Sequence, residues 1–129
     1  MKILNLTQHV ATPDQVTAGV VEPSTELKSK ISRLLTFDEQ PTGPEIAHRA
    51  HLLTNIVRFS GCDSAMIGGA PYLMGALERQ LWAREITPLY AFSVRRSVEE
   101  HQADGSVKKS QVFAHVGFIE AYKEKHEQD

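Results

Sequence analysis

The chain has 129 residues, 41% of them hydrophobic and 23% charged, with a formal net charge of −2. This is the composition of one ordinary globular domain, large enough to bury a core without staples, and it excludes a global electrostatic pull toward nucleic acid or membrane. One cysteine, Cys62, excludes an intramolecular disulfide and points to a reducing cytoplasm. No leader-like segment opens the chain, and no apolar run approaches the length of a bilayer span.

Lys2 to Thr7 reads as a short buried strand, with Ile3, Leu4 and Leu6 close together. Thr12-Pro13-Asp14-Gln15 announces a helix: Thr12 caps, Pro13 suits the first turn and Gln15 closes a capping box. Gly19 stops that helix after two turns, and Val20-Val21 reads as a second strand. Ser24 caps the next helix, whose buried stripe is Leu27, Ile31, Leu34 and Leu35. Thr42-Gly43-Pro44-Glu45 repeats the capping-box logic for a helix carrying Ile46, Ala50, Leu53 and Val57 inward and ending at Gly61.

Ala65-Met66-Ile67 is the next short apolar strand. Pro71 starts a helix running to about Glu85, with Leu73, Met74, Leu77 and Leu81 inside. Thr87 to Val94 follows as a strand. Asp104-Gly105 reads as a two-residue hairpin loop that pairs Val94–His101 with Lys108–His115 and puts Glu100 opposite Lys109. Val116 to Tyr122 continues as strand. The organisation is thus one α/β domain over 1–122 and a polar tail over 123–129. Its sheet is mainly parallel with helix-covered faces, and the C-terminal hairpin adds an antiparallel piece.

Three clusters are candidates to carry chemistry, each with a structural alternative: polar side chains that satisfy loop backbone groups, a tight strand-to-helix turn, and a solvated charged hairpin. Thr7, Gln8 and His9, followed by Thr12, lie at the end of the first strand, where ligands bind in open α/β sheets. His9 is suited to donate to a phosphate or exchange a proton near neutral pH. Gly68-Gly69-Ala70-Pro71-Tyr72 joins a strand to a helix, so small residues allow close backbone approach and the helix dipole favours negative charge. Tyr72 either stacks on a base or packs. Ser93, Arg95 and Arg96, with Lys108 and Lys109 across the hairpin, supply cations. Arg95 and Arg96 face opposite ways unless a bulge intervenes, so one faces the ligand and the other pairs with a carboxylate such as Glu99. An acidic or phosphorylated ligand suits such a place. His48 and His51 sit three apart on one helix, but no further ligand stands at a spacing that makes zinc a reading. No cofactor is implied.

The pattern resembles the small stand-alone CRISPR-associated ring nucleases, relatives of the CRISPR-associated Rossmann-fold (CARF) sensor domains. The likeness rests on Leu6-Thr7-Gln8-His9 with Thr12-Pro13-Asp14-Gln15, and on Met66-Ile67-Gly68-Gly69 before a helix. Pro88 to Arg96 is similar to the family's strand ending in a basic residue. Asp104 to Lys109 with Val112-Phe113 and His115-Val116 is similar to its closing hairpin. The middle, about Val21 to Phe59, carries much less of it, and Gly69-Ala70-Pro71-Tyr72 replaces a more polar loop. The resemblance implies a Rossmann-like fold and a homodimer with the pocket across its two-fold axis. The implied ligand is a cyclic oligoadenylate, most often the four-membered ring. The implied activity is metal-independent attack of a ribose 2′-hydroxyl on the adjacent phosphorus, which switches off type III CRISPR signalling. It assigns Arg95 or Arg96 to the transition state and His9 to proton transfer. Thr7, Gln8, Gly68 and Gly69 hold ribose or phosphate, and Lys108 closes over the ligand. The alternative is a non-cleaving module, a sponge or sensor, that captures a cyclic nucleotide or other phosphate ligand. A double-stranded DNA binder lacks the basic helix or long cationic stripe it would need.

Overall fold

The computed structural model describes residues 1–124. Residues 125–129, most of the polar tail, lie outside them. The strands are β1 (Ile3–Leu6), β2 (Val20–Val21), β3 (Ser64–Ile67), β4 (Thr87–His101) and β5 (Val107–Glu120). The helices are α1 (Pro13–Thr17), α2 (Thr25–Leu35), α3 (Gly43–Ser60) and α4 (Pro71–Ala83). The strands form one sheet in the order β2-β1-β3-β4-β5. The first four are parallel and β5 is antiparallel to β4.

Local chemistry sets most element ends. The Thr12 side chain accepts from the Gln15 N–H at 3.2 Å, and the Gln15 side chain accepts from the Thr12 N–H at 3.0 Å, a complete capping box. Ser24 caps α2 through the Leu27 N–H. Thr42 caps α3 through the Glu45 N–H, but the reciprocal half of that box is replaced. The Glu45 carboxylate turns instead to Arg49 at 2.9 Å. Gly61 takes φ 80° and closes α3. The helix α4 ends two residues short of Glu85, because Glu85 itself adopts φ 59° and the Ile86 N–H returns to the Leu81 carbonyl.

The sheet is covered unequally. Leu4, Leu6, Ala65 and Ile67 face Ile31 and Leu35 of α2, Leu53 and Val57 of α3, and Leu73, Leu77 and Leu81 of α4. All are buried, and they form the main core. Ile3, Val20, Met66 and Leu89 point the other way and pack against Ala11 and Phe118, with no helical side chain among them. Helix-covered faces on both sides were the expectation. The five-residue α1 is too short to blanket the second face, so a loop residue and a β5 side chain do that work.

The C-terminal hairpin departs furthest from the expected form. Only Thr87–Leu89 of β4 pairs with β3. From Tyr90 onward β4 has β5 as its sole strand partner, so a two-stranded ribbon extends from the sheet. Its register closes at His101↔Val107, leaving a five-residue loop, Gln102–Ser106, around Asp104-Gly105. Asp104 accepts from both the Ser106 N–H and its hydroxyl, which sets that wider turn. Glu100 therefore stands opposite Lys108, and Glu99 opposite Lys109. The register also shifts between Phe92 and Ser93, where Val116 of β5 is left unpaired.

Candidate functional site

Leu6 pairs with Ile67, so β1 and β3 end level and their following loops emerge side by side. The chain leaves β1 for β2 on one side and reaches β3 on the other. The gap between β1 and β3 is therefore the point where strand order reverses, the place where such sheets take ligands. A cleft of about 550 Å³ opens there. Thr7, Gln8, His9 and Val10 form one wall, and Met66, Ile67, Gly68 and Gly69 another. Gln15, Tyr90 and Ala91 complete it. A Cβ on Gly68 would stand 3.7 Å from the Thr7 methyl, ordinary contact, so these two loops touch.

The loop after β1 is held from behind by a polar knot. Asn5 is fully buried. Its amide donates to the His9 carbonyl at 2.7 Å and to Glu22, while its carbonyl oxygen accepts from the Thr7 N–H at 3.0 Å and the Thr7 hydroxyl at 2.7 Å. Lys28 Nζ donates to the Thr7 carbonyl at 3.0 Å and the His9 carbonyl at 2.8 Å, and lies 3.5 Å from Glu22. Glu22 also accepts from the Ala11 N–H at 2.8 Å. Burial pushes the Glu22 carboxyl up, but the hydrogen bonds from Asn5 and Ala11 together with the Lys28 charge outweigh it and hold the group below the usual carboxylate range. The opposite wall is fixed as well. The Tyr90 hydroxyl donates to Glu78 of α4, and burial together with that carboxylate pushes the phenol far up.

Of the residues singled out from the sequence, Thr7, Gln8, His9, Gly68 and Gly69 meet in this cleft. The others do not line it. The Thr12 hydroxyl is committed to the α1 cap. Ala70 is the α4 N-cap, with no side-chain hydrogen bond. Tyr72 packs edge-on against Phe37 at 5.2 Å, which itself lies under Arg49. Gly69 faces the core: a Cβ there would meet the Met74 methyl at 3.3 Å. The cleft thus owes close backbone approach to Gly68.

Ser93, Arg95, Arg96 and Lys108 lie along the ribbon beyond Ala91. Sheet alternation puts Ser93 and Arg95 on the face of Ala91 and Phe118, the face shared with Met66. Arg96 projects to the opposite face, because the bulge falls before Ser93 and not between the arginines. Arg95 is about 13 Å further along the strand than Ala91, and the Lys108 row about 30 Å, at ~3.3 Å per residue. Lys108 cannot close over a ligand in the cleft of its own chain. Only the loops after β1 and β3 converge on the cleft, and no lysine or arginine lines it. Arg95 pairs with an aromatic ring instead, its Cζ 5.4 Å from the Phe113 centroid.

A family model matches residues 1–119, that of the Uncharacterized protein MJ1673 family. The chain belongs to this family. No curated protein and no solved structure matches it. In this MJ1673-family chain, sequence reading missed Asn5, Glu22 and Lys28, which shape the loop, and Val10, Gln15, Met66, Ile67, Tyr90 and Ala91, which line the cleft. Gln15 carried a legible signal, the capping box, but not the direction of its buried side chain. Among the described residues no group of three or more His, Cys, Asp or Glu side chains could hold a metal ion. His51 is hydrogen-bonded to Asn55 on its own helix at 3.2 Å, and Cys62 packs partly buried against the main core. No helix of the described residues is long and apolar enough to cross a membrane.

Proposed function

We propose that the cleft between the β1 and β3 loops binds a cyclic oligoadenylate, most simply the four-membered ring, and opens it without a metal. The observation that carries this reading is the meeting of Thr7–Val10 with Gly68 at the strand-order reversal, in a cleft of about 550 Å³. In the reaction a ribose 2′-oxygen bonds to the adjacent phosphorus and the phosphorus–O5′ bond breaks. The 2′-hydroxyl proton ends on the leaving oxygen, which leaves a 2′,3′-cyclic phosphate and a 5′-hydroxyl. The chain's part is to hold attacking and leaving oxygens in line and to offset charge on the phosphoryl oxygens. Gly68 admits a phosphate close to the backbone, His9 at the exposed rim carries the proton, and Ser93 and then Arg95 extend the site along the same face. A cytoplasmic homodimer that ends a type III CRISPR signal is the biological form of this reading. Lys108 takes part in it only if a second protomer brings it.

A second reading, capture without cleavage, is favoured by two observations: the cleft wall holds no lysine or arginine, and its Tyr90 phenol is already engaged by Glu78. One incubation separates the two. The chain is mixed with cyclic tri-, tetra- and hexa-adenylate in excess chelator and the products are resolved by chromatography. Linear products with a cyclic phosphate end, lost in His9→Ala, support cleavage. Binding with the ring recovered intact supports capture. Neither binding nor turnover of any ring contradicts both.

A further inference from the structure

From the ribbon face that continues the cleft, we infer a nucleobase-stacking platform at Arg95 and Phe113, which makes the bound species an oligonucleotide of at least two residues. The inference rests on the cleft being a phosphate-ligand site. Leading away from Ala91 and Phe118, the rows on this face are Ser93 with His115, then Arg95 with Phe113. The rings of Phe118 and His115 lie 4.8 Å apart and tilted. The Phe113 ring, 72% exposed, comes next, with the Arg95 guanidinium over it at 5.4 Å. Aromatic side chains are thus laid out along one strand, from the cleft rim outward, ending in a cation beside an open π-face.

Exposed aromatics on a sheet surface with an adjacent arginine are the physical means by which single-stranded nucleic acid is held, since every base has a π-face and the cation sits near the phosphates. The opposite face of the ribbon lacks this chemistry. On it the Tyr90 hydroxyl is committed to Glu78, Phe92 stands opposite Gly117, and Arg96 stands opposite the aliphatic Val112, so no cation lies over an open ring there. Arg95 and Phe113 lie about 13 Å along the strand from Ala91. A mononucleotide seated in the cleft cannot also stack there. A second nucleotide, linear or in a ring, can.

The test is calorimetric titration of the native chain, Phe113→Ala and Phe113→Tyr with adenosine monophosphate, the linear dinucleotide pApA and cyclic tetra-adenylate, alongside sedimentation of each ligand-free chain. The native chain should bind the dinucleotide and the ring more tightly than the monophosphate. Phe113→Ala should weaken those two about ten- to a hundredfold and leave the monophosphate unchanged. Phe113→Tyr should restore them. Equal affinity of Phe113→Ala and the native chain for the dinucleotide and the ring would overturn the platform while leaving the cleft reading intact. A change in sedimentation caused by Phe113→Ala would overturn it too, by giving the ring to a protein contact. Failure of the native chain to bind all three probes would remove the cleft reading, and the platform with it.

Discussion

In the sheet body, Leu53, Leu73 and Leu77 are fully buried beneath β1 and β3, each strand there having a neighbour on both sides. In the ribbon beyond Leu89, side chains of the same kind stand in water, Val112 and Phe113 among them. The ribbon is the more charged region, yet segments of the two are equally apolar: Val112-Phe113-Ala114 matches Ala65-Met66-Ile67. What separates them is the presence of a third strand and a helix, without which a two-stranded ribbon hides neither face. The body is shaped by burial, and the ribbon carries exposed apolar side chains such as Val112 and Phe113 among its charges, where burial gives no reason for them. The cleft lies at the junction, with a wall of fixed loops on the body side and an open platform on the ribbon side.

Truncation of one aliphatic residue in each region is the bluntest way to break this contrast. Leu53→Ala should cost about 3 kcal/mol in denaturant unfolding, because a buried leucine leaves a cavity. Val112→Ala should cost less than about 0.5 kcal/mol. Comparable losses at the two positions would show that the ribbon is covered in solution.

The knot behind the cleft gives the next largest effect. Asn5→Ala leaves the Thr7 N–H without its acceptor and takes one donor each from the His9 carbonyl and Glu22, which keep Lys28 and Ala11, and should destabilise the chain by about 2 kcal/mol. Its amide-exchange consequences should appear first in Thr7–Ala11, with the ribbon unchanged. The pH dependence sharpens the same point. Glu22 is held below its ordinary value in the folded chain, so its contribution is present above the unfolded carboxylate value near 4.5 and is lost as pH falls through the lower folded value. Amide spectra recorded on acidification should show the Thr7–Ala11 loop loosening in that window, and Glu22→Gln should remove the transition.

The smallest effect lies at the end of α4. Glu85 holds φ 59°, a conformation that costs a side chain but not glycine. Glu85→Gly should stabilise the chain by about 0.5 kcal/mol in the same unfolding assay.

These residues also mark what the sequence discloses. Caps and stops are legible because the chemistry is local: Thr12, Ser24, Thr42 and Gly61 act within a few positions of themselves. The β1 and β3 strands and the loops that follow them are legible for the same reason, and they delivered Thr7 to His9 and Gly68 to the cleft. Asn5, Glu22 and Lys28 are not, since each looks like an ordinary solvated side chain until the fold brings positions 5, 22 and 28 together. The ribbon misled in register because Asp104-Gly105 sits inside a wider loop that Ser106 closes. It misled in placement because a strand's length along its own axis, which sets Arg95 about 13 Å and Lys108 about 30 Å beyond Ala91, is invisible in a motif.

The most direct test of the cleft is an amide shift map of the native chain titrated with cyclic tetra-adenylate. Shifts should concentrate at Thr7–Val10 and Gly68–Gly69 and continue through Ser93 to Arg95, leaving Arg96 and the α2–α3 surface quiet. Shifts confined to other surfaces, or none at saturating ligand, would contradict the account.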